Sequence, residues 1–126
     1  MKRTLVFGTF DKLHQGHINF LKQAKKMGDC LYVVLARDIN VKKIKGHLPK
    51  DNEKERMKKL QRIKIADKIL LGYKYYKNRT KIIKKINPQI ICLGYDQPNV
   101  NLRDNKIKII RLKAYKPKQY KSSLMV

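Results

Sequence analysis

Two histidines three residues apart, His14 and His17, flank a glycine in the segment Gly8-Thr9-Phe10-Asp11-Lys12-Leu13-His14-Gln15-Gly16-His17. An imidazole donates hydrogen bonds to phosphate oxygens and is partly protonated near neutral pH, so a pair of them suits a phosphoryl group gathering charge during transfer. Gly8 and Gly16 have no Cβ and let the backbone come close to a ligand. The segment follows an apolar run and opens a helical pattern, and the first amides of a helix, with its dipole, favour anions. Taken alone, His17 continues an apolar stripe and reads as a core histidine, while His14 reads as a surface loop residue. Together at one junction they point to phosphate chemistry. A zinc site would need a third ligand, and neither His47 nor the scattered aspartates show ligand spacing, so no protein-held metal is expected. Neither a Gly-Lys-Ser/Thr phosphate loop nor a Gly-x-Gly-x-x-Gly dinucleotide turn occurs, which leaves a cradle of the histidine type.

Strands and helices alternate around this segment. Arg3–Phe7 reads as a strand ending at Gly8. Gly16–Met27 reads as a helix with His17, Phe20, Leu21, Ala24 and Met27 on one stripe, stopped by Gly28. Leu31–Ala36 is apolar on both faces, as in a parallel sheet covered by helices. Arg37–Lys50 reads as a basic loop, with Lys42, Lys43 and Lys45 before Gly46 forming either a cationic flap or a merely solvated segment. Asn52 and Glu55 predict a capping box for a helix to about Arg62. Lys68–Leu71, Ile90–Leu93 and Ile107–Leu112 read as strands, and Asn78 as the cap of a helix carrying Ile82, Ile83 and Ile86. Such alternation predicts one α/β domain over residues 1–126 with a parallel sheet. Ligands of such sheets sit beyond the carboxyl ends of the strands, which directs attention to 8–17, 37–46, 94–97 and the segment after Leu112.

The totals narrow the class of partner. A net charge of +23, from 32 basic and 9 acidic residues, calls for anions: nucleotides, nucleic acid or an anionic surface, unless the lysines simply fill solvated faces. With 42% hydrophobic residues the chain is too apolar for disorder. Cys30 and Cys92, the only cysteines, each lie in an apolar run and support neither a disulfide framework nor a metal site, which fits a reducing compartment. No apolar run approaches the roughly 20 residues of a membrane span. Gly8 and Asp11 interrupt the apolar start, so a signal peptide is not expected and a cytoplasmic location is. Gly72-Tyr73-Lys74-Tyr75-Tyr76-Lys77-Asn78-Arg79 interleaves aromatics with cations and keeps open a non-catalytic, nucleic-acid-binding reading, which an intact histidine pair argues against.

The loop Gly8-Thr9-Phe10-Asp11…His14-x-Gly16-His17 closely resembles the signature of the cytidylyltransferase-like nucleotidyltransferases, in the branch that holds glycerol-3-phosphate cytidylyltransferase and the archaeal FAD synthases. Ala36-Arg37-Asp38 with Val41–Gly46, Leu93-Gly94-Tyr95-Asp96-Gln97 and Tyr120-Lys121-Ser122-Ser123 resemble the archaeal FAD synthases more closely. The cytidylyltransferases carry an Arg-Thr-x-Gly-Ile-Ser-Thr-type tail, and Lys113–Gln119 lacks its arginine and glycine. The resemblance implies a Rossmann-like three-layer domain with a five-stranded parallel sheet in the order 3-2-1-4-5 and helices on both faces. It implies transfer of AMP from ATP to FMN, giving FAD and pyrophosphate, with Mg²⁺ carried on the triphosphate. CTP with glycerol 3-phosphate is the alternative, and homodimers are common among such enzymes. By the same resemblance, Gly8, Thr9, Phe10, Asp11 and Gly16 would cradle the nucleotide, and His14 and His17 would contact its phosphates. Lys42, Lys43 or Lys45 would draw on the acceptor or leaving phosphate, with Arg37 and Asp38 beside the acceptor. Arg56 would bind triphosphate oxygens; Gly94, Asp96 and Gln97 would meet the base or ribose; Ser122 and Ser123 would close the site. Arg56 also lies on the apolar stripe of its helix, where a guanidinium needs an anion, either the nucleotide or a buried carboxylate.

Overall fold

The computed structural model describes residues 1–74, 79–98 and 106–114. In chain order the elements are β1 (Arg3–Gly8), α1 (Gln15–Lys25), β2 (Cys30–Leu35), α2 (Asp38–Lys45), α3 (Glu53–Ile63), β3 (Lys68–Leu71), α4 (Arg79–Ile86), β4 (Ile90–Leu93) and β5 (Lys108–Arg111). The five strands form one sheet in the order β3-β2-β1-β4-β5, and every pairing is parallel.

The alternation of side chains along each strand divides the core in two. Val6 of β1, Leu31, Val33 and Leu35 of β2, and Cys92 of β4 pack on one face with Leu21 and Ala24 of α1 and Leu60 of α3. Leu5, Val34, Ile91 and Leu93 point to the other face and pack with Ile82, Ile83 and Ile86 of α4. Right-handed crossovers explain the arrangement: β1 to β2 to β3 advances in one direction with α1 and α3 on one side, and the jump back to β4 carries α4 to the opposite side. Every residue of β4 is buried, as a strand covered on both faces requires. Burial also raises the Cys92 thiol to about 11, so it behaves as a small core hydrophobe rather than a nucleophile.

Two expectations need amending. The segment expected to be a basic loop holds α2, closed by Gly46 in the left-handed conformation at φ 83°. Val41 and Asn40 alone are buried on this helix, so it has no broad apolar stripe to announce it. The helix expected over Gly16–Met27 runs over Gln15–Lys25. Asn78, expected to cap α4, and the Tyr75–Asn78 part of the tyrosine-rich stretch lie outside the described residues.

Candidate active site

The sheet order reverses at β1, and a cavity of about 1080 Å³ opens beyond the carboxyl ends of β1, β2 and β4. Gly8, Thr9, Phe10, Asp11, His14, Gly16, His17, Arg37, Lys45, Gly94, Asp96 and Gln97 all line it. Thus the structure gathers around one space residues that the sequence spreads over nearly ninety positions.

The histidine turn is a capping device. His14 is the N-cap of α1, and its Nδ1 accepts from the Gly16 N–H at 3.0 Å. His17 Nδ1 accepts from the His14 N–H at 3.2 Å. Two orphan amides of the helix start are satisfied reciprocally, with imidazoles in the parts that Ser and Glu take in the usual capping box. The rings stack with centroids 3.8 Å apart. Because each Nδ1 is an acceptor, the neutral form of each ring carries its proton on Nε2. Burial lowers the pKa of His14. It lowers His17 further, to about 3, with the adjacent His14 and Lys45 charges acting the same way and Asp11 opposing them. The pair is therefore neutral at pH 7, not partly protonated as unperturbed values would have it.

Phe10 sets the floor beneath His17. Its backbone lies in the left-handed region at φ 52°, a strained position for a bulky residue. That turn folds the ring back under Gly8 and against the edge of the His17 ring, 5.5 Å away. A Cβ at Gly8 would stand 2.5 Å from Phe10 Cε2, so glycine is required there to admit the ring.

Several residues expected at the ligand also make ties within the chain. Arg56 is fully buried and forms no part of the cavity wall. Its Nη1 donates to Thr9 O at 2.8 Å, its Nε to Asp51 O at 3.1 Å and its Nη2 to Asp38 Oδ1 at 2.7 Å. Arg56, the residue expected to grip triphosphate oxygens, is thus placed on Asp38 as its anion, and it fastens the first loop to the starts of α2 and α3. Asp38, expected beside the acceptor, is likewise committed, since its Oδ2 accepts from the Glu53 N–H while Glu53 Oε1 accepts from the Asp38 N–H. Lys42 and Lys43 are exposed and are not part of the cavity wall, unlike Lys45. Asp11 reaches the cavity, yet its two oxygens accept from the Lys50 and Asp51 amides at 2.8 Å each, clipping the segment after α2 to the first loop. Ser122 and Ser123 lie outside the described residues.

Gln97 works at the strand reversal itself. The β1–β4 ladder ends at Val6↔Cys92. One step further, Gln97 Oε1 accepts from the Gly94 N–H at 2.7 Å and its Nε2 donates to Phe7 O at 3.1 Å. The side-chain amide thus replaces a rung of the ladder where the strands part, and Arg111 Nη1 donates to Gly94 O and Gln97 O from β5. Sequence reasoning also missed Phe20, Asn40, Ile44, Leu48, Tyr73 and Arg79, all of which line the cavity. Six cations, Lys12, Arg37, Lys45, Lys50, Arg79 and Lys113, surround it against two acids, Asp11 and Asp96, among the described residues. A highly charged anion is the ligand such a field selects.

This fold is shared with known proteins. The sequence model of the Cytidylyltransferase-like family matches residues 5–123. The chain belongs to that family. A protein named FAD synthase from Aciduliprofundum boonei is 40% identical over 123 residues, covering 91% of this chain and 80% of that one. Another of that name from Methanosarcina barkeri is 48% identical over 99 residues, covering 77% and 67% respectively. The crystal structure of a protein described as a lipopolysaccharide core biosynthesis protein from Thermoplasma volcanium superposes with a TM-score of 0.77 at 34% identity, covering 91% of this chain and 98% of that one. Among the described residues no helix is long and apolar enough to cross a membrane.

Proposed function

We propose that this chain is an FMN adenylyltransferase: the phosphate of FMN attacks the α-phosphorus of ATP, the bond to the β-phosphate breaks, and FAD and pyrophosphate leave. The observation that carries this reading is the histidine capping box, which commits both Nδ1 atoms to backbone amides and sets two neutral imidazoles side by side on the wall of a cationic cavity. The relatives named FAD synthase, 36–48% identical to this chain, support FMN and ATP as the acceptor and donor.

The acceptor phosphate is already an anionic nucleophile and pyrophosphate is a good leaving group, so the protein needs no general base for this step. Its task is to hold the two phosphates in line and to stabilise charge on the oxygens of the α-phosphate. His14 and His17 suit that task, because neutral donors fixed in place need no reorganisation as charge develops. Thr9 and Gly16 offer backbone close to the triphosphate, Lys45 a charge for the acceptor or leaving phosphate, and Gly94 and Asp96 a rim for the base. Arg56 serves by holding Thr9 in place.

A divalent cation such as Mg²⁺ suits the triphosphate. In this reading the ion arrives with its nucleotide rather than in a cage of side chains.

The test is a substrate matrix, ATP or CTP against FMN or glycerol 3-phosphate with Mg²⁺, reading pyrophosphate and the adenylated or cytidylated product. ATP with FMN should give FAD, and His14→Ala or His17→Ala should each lower turnover by about 10²–10³. Product from CTP and glycerol 3-phosphate alone would replace this reading with the cytidylyltransferase one.

A further inference from the structure

We infer that the wall formed by α2 and the end of β3 is the seat of the acceptor's isoalloxazine ring, with Ile44, Leu48 and Tyr73 as its platform. The inference rests on the FMN reading above and assigns the residues that would select a flavin over a small polyol phosphate.

Exposed large apolar side chains are costly in water, and a cluster of them on a cavity rim marks a ligand surface. Ile44 is 63% exposed, Leu48 58% and Tyr73 37%, and all three line the cavity. They belong to one wall. Asn40 Nδ2 donates to Tyr73 O at 2.9 Å and Arg37 Nε donates to Gly72 O, so the first turn of α2 is fastened to the segment that follows β3. Ile44 lies four residues after Asn40 and so shares its helix face, one turn further along. Leu48 continues the wall beyond Gly46.

The wall is rigid on the side that matters. Gly46 closes α2, the reciprocal Asp38–Glu53 bonds fix its start, and Asp11 holds Lys50 and Asp51 just past Leu48. The apolar side chains are therefore held out toward the cavity by backbone anchored at both ends, not left on a loose loop. Asn40 adds a further sign of a ligand. It is buried and lines the cavity, its Nδ2 is committed to a carbonyl, and its Oδ1 has no hydrogen-bond partner among the described residues. A buried acceptor of this kind calls for a donor, and the ring imide of a flavin offers one.

Charge complementarity selects the occupant. Lys45, next to Ile44 in sequence, lies close enough to His17 to depress its ionisation, so a cation and the reacting end of the site adjoin the apolar shelf. No acid belongs to the stretch of α2 and the following turn that lines the cavity: Arg37, Asn40, Val41, Ile44, Lys45, His47 and Leu48. A ligand matching this wall has an anionic phosphate at one end and a flat, neutral, apolar body at the other. FMN has that form; glycerol 3-phosphate has no body for the shelf to hold.

The test compares the wild type with Ile44→Ser/Leu48→Ser and with Tyr73→Ser, each checked for an unchanged melting temperature, as exposed positions allow. FMN binding is read by quenching of flavin fluorescence, and KM is measured separately for FMN and ATP. The double variant should weaken FMN binding and raise its KM by about 10–100-fold, leaving the KM for ATP within about twofold. Wild type and double variant binding FMN equally would overturn the seat while leaving the reaction standing. A parallel loss for ATP and FMN would also overturn it, because the wall would then shape the whole site. Wild type that neither binds FMN nor forms FAD would bring down the functional reading, and the seat with it.

Discussion

The ionisation of His17 gives a stability experiment that needs no substrate. Its pKa falls from 6.5 to about 3 in the folded chain, because burial disfavours the imidazolium and His14 and Lys45 add positive charge nearby, against Asp11 alone in the other direction. The unfolded chain takes up a proton near pH 6.5 that the folded chain refuses. Stability from this group is therefore complete above pH 6.5 and declines as pH falls toward 3. At pH 5 the gap is about 1.5 pH units at roughly 1.4 kcal/mol each, or about 2 kcal/mol. His17→Asn removes the titration yet keeps a side-chain acceptor for the His14 amide. With urea m-values of about 1–3 kcal/mol/M, lowering the pH from 7.5 to 5 should reduce the unfolding midpoint of the wild type by about 1 M more than that of His17→Asn. The hydrogen bonds from Lys59 to Asp51 and from Lys25 to Asp67 depress both carboxylates below 3.8, so their contributions are lost only at lower pH and do not enter this window. Equal pH dependence in the two proteins would show that the ring is not held neutral, and the tautomer argument for paired Nε2 donors would fall.

Two further outcomes follow from the ties around the first loop. Arg56→Met leaves Asp38 without its buried partner and two carbonyls without donors, a loss of about 3–5 kcal/mol that should lower Tm by about 10–20 °C in calorimetry. A Tm within about 3 °C of wild type together with weakened ATP binding would return the arginine to the ligand. Gly8→Ala drives its new methyl into the Phe10 ring and should lower turnover by about 10²-fold with the fold retained, while Gly8→Ala/Phe10→Leu recovers part of it. No recovery in the double variant would mean that Gly8 acts through something other than Phe10.

What the sequence disclosed and what it hid divide along a physical line. Apolar periodicity reports which face of an element is covered, and the five strands and three of the four helices carried it plainly. α2 did not, since eight residues with Val41 as their one buried apolar side chain make no stripe. The histidine turn was legible because its parts are contiguous and its work is local: a cap, a bend and two rings. Arg56 was legible as buried and illegible as to its partner. Its carboxylate, Asp38, lies 18 residues earlier, and its other two acceptors are the main-chain oxygens of Thr9 and Asp51, which any residue at those positions would supply. Gln97 is the same case, joining Gly94 N–H and Phe7 O across the opening between β1 and β4. Backbone groups leave no mark in a sequence, so a buried polar side chain beside an active loop is open to either reading until the fold is known. The loop decides between them. A turn that places Phe10 at positive φ under strain needs donors for its carbonyls. A guanidinium with five donors at the start of the helix beneath meets that need. In the proposed reaction the arginine would act by keeping Thr9, and with it the mouth of the phosphate cradle, in one position, which would make its effect on turnover inseparable from its effect on stability.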